Sequence, residues 1–312
     1  MSKIKKYGSV VGAFVAVAMG AMAGTNVFAD TTYTSANFPD DEFFKCVKNV
    51  AGVGTLSESI TQEQVDSITD LACGVAYDVS NVTGINYLVN VEVISFSGME
   101  NLSEIDLSGF DGDQLTELSL TNNTGLTTVT IGKKPELTNV FIENNPVLEE
   151  LDFSGANKLD SVFIRNNESL KKLLFGEQEN LTSLSQLNNN ALEELDVSGV
   201  EKLEDLKAFN NKLTTIDLSA NKELETLVLS KNELTSIDLS KNVELTNAYL
   251  YDNNFDYIDV SKINKNLLGL YLDDDVLVRT NFVAKQMKAG EYYYASVETS
   301  GGLGGKIGRA HV

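Results

Sequence analysis

Ten times along the 312-residue chain the pattern L-x-x-L-x-L recurs at intervals of 21 to 24 residues, opening at Ile68, Val91, Leu115, Leu137, Leu159, Leu181, Leu203, Leu224, Leu245 and Leu267. From the third opening onward a polar residue stands five positions past the middle apolar one: Asn123, Asn145, Asn167, Asn189, Asn211, Asn232, Asn253 and finally Asp275. A unit this short cannot bury a core alone, so successive units must stack into a solenoid. Alternating apolar residues, as in Leu118 and Leu120 or Val140 and Ile142, predict a short strand with one buried face in each turn. Stacked at about 4.8 Å, these strands make a parallel sheet along one side. The recurring Asn falls where the chain turns inward. A buried amide there bonds backbone groups that the curve leaves unpaired, so the Asn column is expected to be structural.

A second, shorter repeat lies between the openings, offset by 10 or 11 residues, at Leu102–Leu107, Leu126–Ile131, Leu148–Phe153, Leu170–Phe175, Leu192–Val197, Leu213–Leu218, Leu234–Leu239 and Phe255–Val260. Most members carry Asp before the last apolar residue: Asp106, Asp152, Asp196, Asp217, Asp238 and Asp259. Each turn is therefore expected to have two extended arms. The arm that ends in Asn is assigned to the concave sheet and the arm reading I/L-D-L/V-S to the convex side. Screening reduces repulsion between stacked carboxylates to about a few tenths of a kcal/mol per pair. The Asp column is accordingly read as structural, with the following Ser and Lys241 and Lys262 as local partners. A row of weak calcium sites is the alternative, and it extends to Asp111, Asp113 and the Asp273–Asp275 run.

Segments such as LTTIDLSANKELETLVLSKNELTSIDLSKNVELTNAYL, from Leu213 to Leu250, resemble the 21-residue repeats of internalin-type leucine-rich-repeat surface proteins of Gram-positive bacteria. The resemblance is nearest to the branch that stacks cysteines at the third apolar position of each strand. Here only Cys73 takes that position, and Leu120, Ile142, Ile164 and Leu229 replace the others. It spans roughly residues 38–275. It implies an α/β-type repeat fold: a right-handed leucine-rich-repeat solenoid with a parallel concave sheet, extended convex arms and a helical N-terminal cap. For function it implies a secreted or cell-wall-associated adhesin, although such repeats serve many partners.

Five segments are expected: a signal peptide over 1–29, a cap over 30–67, about ten repeats over 68–275, a C-terminal cap or further domain over 276–305, and an extraneous tail over 306–312. Lys3, Lys5 and Lys6 precede an apolar run from Val10 to Ala23, and Val27-Phe28-Ala29 has the small residues of a cleavage site. That combination reads as a secretory signal cleaved after Ala29. The last seven residues, from Lys306, back-translate to a string resembling a common sequencing-adapter read, so the gene is expected to continue. Removing 1–29 takes away three lysines and no acid, so the formal charge goes from −21 to −24. Such a chain repels phosphate backbones and anionic lipid, which argues against nucleic-acid or membrane-surface partners.

Cys46 falls in an apparent amphipathic helix, Phe38–Val50, with Phe43, Phe44 and Val47 facing inward, and Cys73 falls in the first repeat strand. Either the two form a disulfide or they are two buried thiols of the cap core. The loop Asn49–Gly54 and a helix near Thr61–Ile68 resemble a decayed EF-hand, but the alternating carboxylates of a calcium site are missing, so no metal is expected there. The sole histidine, His311, lies in the suspect tail. No Ser-His-Asp or Cys-His arrangement, metal-ligand cluster or phosphate loop can be assembled, and the chain is read as a binding protein without cofactors, not an enzyme.

What remains is the outward side of the concave sheet. Residues between the apolar positions give a central column of Ser119, Phe141, Phe163, Ser185, Lys207, Val228, Tyr249 and Tyr271, with Glu143, Arg165, Phe209, Tyr251 and Asp273 beside it. Aromatic anchors dominate interfaces. Phe141, Phe163, Phe209, Tyr249, Tyr251 and Tyr271 are therefore the candidate ligand strip; the plainer reading is that aromatics simply suit strands. The partner is expected to be a protein of a host or neighbouring cell, met by a monomer. A glycan ligand, or service as the recognition module of a larger secreted enzyme, are the alternatives. One turn breaks the pattern: Gln186 holds an inward site, so either its amide joins the interior bonds or a bulge lets Leu187 fill the core. Ala208 and Ala248 are read as equivalent small residues that narrow the C-terminal turns.

Overall fold

The structure, a computed structural model, describes residues 31–279 apart from 111–112, 190, 264–266 and 275. The expectations for 1–29, 280–312, Asp111 and Asp275 lie outside the described residues. Within them the chain is a parallel-strand solenoid of the leucine-rich-repeat kind. The first arms form Asp70–Cys73, Val93–Ser97, Glu117–Thr121, Asn139–Glu143, Ser161–Arg165, Ser183–Leu184, Asp205–Lys207, Thr226–Val228, Asn247–Tyr249 and Gly269–Tyr271. Neighbouring turns pair in parallel with like positions opposite each other, for example Val140 with Val162 and Leu227 with Ala248. Second arms form shorter parallel ladders, including Glu150–Asp152, Lys172–Leu174 and Glu194–Asp196. The apolar residues of both arms meet in one continuous buried cluster.

The amides at the ends of the first arms are bonded from turn to turn. The Asn145 N–H donates to Oδ1 of Asn167 at 3.0 Å, and the Asn167 amide donates to the Ile142 carbonyl at 3.0 Å. Asn123, Asn189 and Asn211 continue the pattern. At Asn232 and Asn253, where the repeat shortens to 21 residues, Oδ1 instead accepts from Leu213 and Leu234, and the amides donate to Ala208 and Leu229 carbonyls. The residue before each ladder amide except Asn189 stands at positive φ: Asn122, Asn144, Asn166 and Asn210, then Lys231 and Asp252, all between 55° and 58°. Asn and Asp tolerate this left-handed backbone, but Lys231 does so at a steric cost.

The irregular turn is a bulge. Ile164 N–H reaches the Gln186 carbonyl and Leu187 N–H reaches the Lys207 carbonyl, both at 3.3 Å, one residue later than the ladder elsewhere requires. Ser185 and Gln186 therefore share the place of one residue, Leu187 is fully buried and Gln186 is only half-buried. The first-arm column consequently divides here into two five-stranded sheets. Ala208 and Ala248 prove not to be equivalent. Ala248 lies opposite Leu227, whereas Ala208 N–H bonds the Val228 carbonyl and so aligns with Leu229, in the next inward row.

At the N-terminal end, helix Asp41–Val50 packs Phe43, Phe44, Cys46 and Val47 inward. It starts three residues after Phe38 because Asp40 caps it, its Oδ1 accepting from Phe43 N–H at 2.8 Å. Oδ2 of Asp40 accepts from Ser80 N–H, Ser80 Oγ and Asn81 N–H, tying the cap to the loop beyond the first strand. Cys46 and Cys73 are joined by a disulfide with Cα atoms 5.8 Å apart. The second helix is short, Gln62–Asp66, and opens with a capping box between Thr61 and Gln64. Buried Lys48 holds the intervening loop through the Thr55 and Ser57 carbonyls.

Candidate interaction face of the first-arm sheet

Strand pleating sends alternate residues of each first arm outward, and parallel register lines them up across turns. Ser119, Phe141 and Phe163 stand opposite one another, as do Lys207, Val228, Tyr249 and Tyr271. The Phe141 and Phe163 rings stack at 5.3 Å between centroids and 11° between planes. Tyr249 and Tyr271 stack more closely, at 4.2 Å and 3°. Phe163 and Tyr251 are each 38% exposed, and Phe141, Phe209, Tyr249 and Tyr271 are half-buried.

The six candidate residues thus share one face, but they do not form an unbroken strip. Ser185, Lys207 and Val228 separate the phenylalanine pair from the tyrosine pair. At the strand spacing that gap is roughly 19 Å. Phe209 and Tyr251 lie one row over on turns separated by Ser230, which is buried. Sequence reasoning named these rings but not their pairing, which depends on register that only the stacked turns define.

Charge on this face is largely self-compensated. Arg165 Nε bonds Glu143 Oε1 at 3.0 Å, and the Lys207 ammonium pairs with Asp205 in its own strand. Asp273 accepts from the N–H groups of Asp252 and Asn253. The other Asp205 oxygen is buried without a hydrogen-bond partner.

On the second arms every carboxylate of the Asp column accepts from the N–H of the Ser two residues on, at 2.8–2.9 Å. The Ser108 hydroxyl and N–H hold Asp106 below the usual carboxylate range, and the Ser219 hydroxyl and N–H do the same for Asp217. At Asp238 the Ser240 N–H leads, then its hydroxyl. These are local turns. Among the described residues no group of three or more His, Cys, Asp or Glu is placed to hold a metal ion.

Beneath these arms lies a second interior column that sequence reasoning missed. Lys134 is fully buried, its ammonium donating to the Leu107, Phe110 and Lys133 carbonyls. One position in other turns is filled by Gln178, Asn221 and Asn242, each donating to carbonyls of neighbouring segments. The signal was available: each stands three residues past the last apolar residue of its arm.

No protein-family model and no curated protein matches the chain. Solved structures do resemble it. The functional domain of InlJ from Listeria monocytogenes, which includes a cysteine ladder, is 22% identical with a TM-score of 0.36, covering 80% of this chain and 64% of that one. An internalin C2 of the same organism is 20% identical with a TM-score of 0.45, covering 81% and 100%. A plant peptide hormone receptor, RGFR1 in complex with RGF2, is 21% identical with a TM-score of 0.42, covering 64% and 33%. The chain thus spans just under two thirds of the InlJ domain; its leucine-rich-repeat fold rests on the stacked parallel arms described above. Among the described residues no helix is long and apolar enough to cross a membrane.

Proposed function

We propose that this leucine-rich-repeat chain is an exported adhesion protein that binds a protein partner through the outward face of its first-arm sheet, the face expected to be concave. The observation that carries this reading is the set of ring pairs, Phe141 with Phe163 and Tyr249 with Tyr271, standing partly exposed on a sheet face whose interior is already filled. Rings there add nothing to the core, and they supply area with little rotamer entropy to lose. Residues 1–29 serve as the export signal in this reading, and the repeats bind without catalysing. Stacking favours a protein over a glycan ligand, because each ring of a pair turns one face to its neighbour and a sugar needs an open face. The test is a panel of purified extracellular domains probed with the wild type, Phe163→Ala/Tyr251→Ala and a second-arm control, Glu150→Ala. Loss of every captured domain by the ring variant alone supports the reading; loss by the control alone overturns it.

A further inference from the structure

The partner's chemistry can be taken further, on the premise that this face does bind a protein. The chain holds 24 basic against 45 acidic residues, so a basic side chain on any given surface is the exception. Among the described residues, the outward positions of the first arms carry two, Arg165 and Lys207. They flank a single turn, the one with the bulge: Arg165 ends the strand before it and Lys207 ends the strand after it. The bulge sets Ser185 and Gln186, both half-buried, between Phe163 and Lys207. Bulges re-aim side chains and recur beside binding sites.

Neither base is locked away. The Arg165 side chain is 44% exposed and Lys207 is 36% exposed. Arg165 meets Glu143 through Nε, while a guanidinium presents five donors and an ammonium three. Exposed ion pairs are worth little and rearrange readily around a third charge.

We infer that the middle of this face, between Arg165 and Lys207 and over the Ser185–Gln186 bulge, takes a carboxylate side chain of the partner, with Phe163 and Phe209 receiving apolar residues beside it. At this spot a partner carboxylate competes with Glu143 for Arg165 and with Asp205 for Lys207, whereas over most of the surface it meets carboxylates with no base beside them to take it. It therefore fixes the partner's register as well as adding affinity. Arg165 is suited to hold it in a two-pronged bond, and Lys207 acts as a point charge.

The experiment selects binders to the full chain from a random dodecapeptide library. Wild-type binders should share one Asp or Glu next to apolar residues. They should bind Arg165→Gln/Lys207→Gln at least tenfold more weakly, while Arg165→Glu/Lys207→Glu should select Lys or Arg instead. Arg165 and Lys207 are exposed but Glu143 and Asp205 are half-buried and lose their partners, so thermal unfolding of each variant is compared with the wild type. Arg165→Lys/Lys207→Arg, which keeps both charges, should retain the binders. Binders lost on Phe163→Ala yet unaffected by Arg165→Gln/Lys207→Gln overturn the carboxylate inference and leave the binding face standing. Binders indifferent to all three variants overturn both.

Discussion

The Tyr271 ring lies back over Gly269, two residues earlier in the same strand: a Cβ built on Gly269 would stand 2.7 Å from the ring and 3.1 Å from its hydroxyl oxygen. The glycine leaves the space in which Tyr271 lies flat against Tyr249. Gly269→Ala should push the far end of a flexible side chain aside, costing no more than about 1 kcal/mol. It should nevertheless unstack the pair. Loss of the mutual ring-current shifts of Tyr249 and Tyr271 in proton spectra checks this, and unchanged shifts would show that the glycine is not what permits the stack.

Lys231 offers a stabilising change. It holds φ of 58° where four other turns place Asn. Lys231→Asn should raise stability by about 0.5–1 kcal/mol through relief of the left-handed backbone. Thermal unfolding should shift up by roughly 1–4 °C; a downward shift would mean that the Lys231 side chain contributes more than its backbone costs.

Asn167 should behave in the opposite way. Its side chain accepts from Asn145 N–H and donates to the Ile142 carbonyl in the interior, and donates to the partly buried Arg165 carbonyl. Asn167→Ala removes these bonds, leaves the Asn145 N–H without its acceptor, and should cost about 2–4 kcal/mol. Asn221→Ala should cost less, because Oδ1 of Asn221 has no hydrogen-bond partner to lose. Denaturant midpoints of the two variants give the comparison, and equal costs would refute the ordering.

Asp40 supplies a pH dependence. Burial pushes its pKa up, but the N–H groups of Phe43, Ser80 and Asn81 and the Ser80 hydroxyl outweigh that and hold it below the ordinary value. A carboxylate whose folded pKa is depressed stabilises fully above its unfolded pKa, about 4, and that stabilisation is lost as pH falls through the lower folded value. Asp40→Asn should therefore be less stable than the wild type near neutrality, and the gap should shrink at acid pH. A gap independent of pH would remove Asp40's charge from the account.

The parts that could be read from the sequence are those that repeat. Leu-x-x-Leu-x-Leu fixes the strands, and the Asn recurring from the third turn onward announces the ladder before any bond is seen. The doublets Asn122-Asn123, Asn144-Asn145, Asn166-Asn167 and Asn210-Asn211 also carried the left-handed position, since Asn is the ordinary residue that tolerates it. The second interior column escaped notice because Lys134, Gln178 and Asn221 solve one problem, unpaired carbonyls, with three chemistries. Gln186 left two outcomes open, since composition alone does not say which neighbour a chain will turn inward. The candidate face was legible as a set of aromatic residues, but its division into two ring pairs needed the register.

The displaced pairing at Ser185–Gln186 bears on how the molecule comes apart. In a stack of like units each turn is held chiefly by the two beside it, so unfolding travels as a front, and its progress is set by the weakest coupling. Strands Ser161–Arg165 and Asp205–Lys207 each have one well-paired side, and between them stands a strand of only two residues. A front entering from either end should halt there. Under partial denaturation, amide exchange should then divide the solenoid into two blocks with separate protection, and pulling on its ends should give one pause near the middle of the stack.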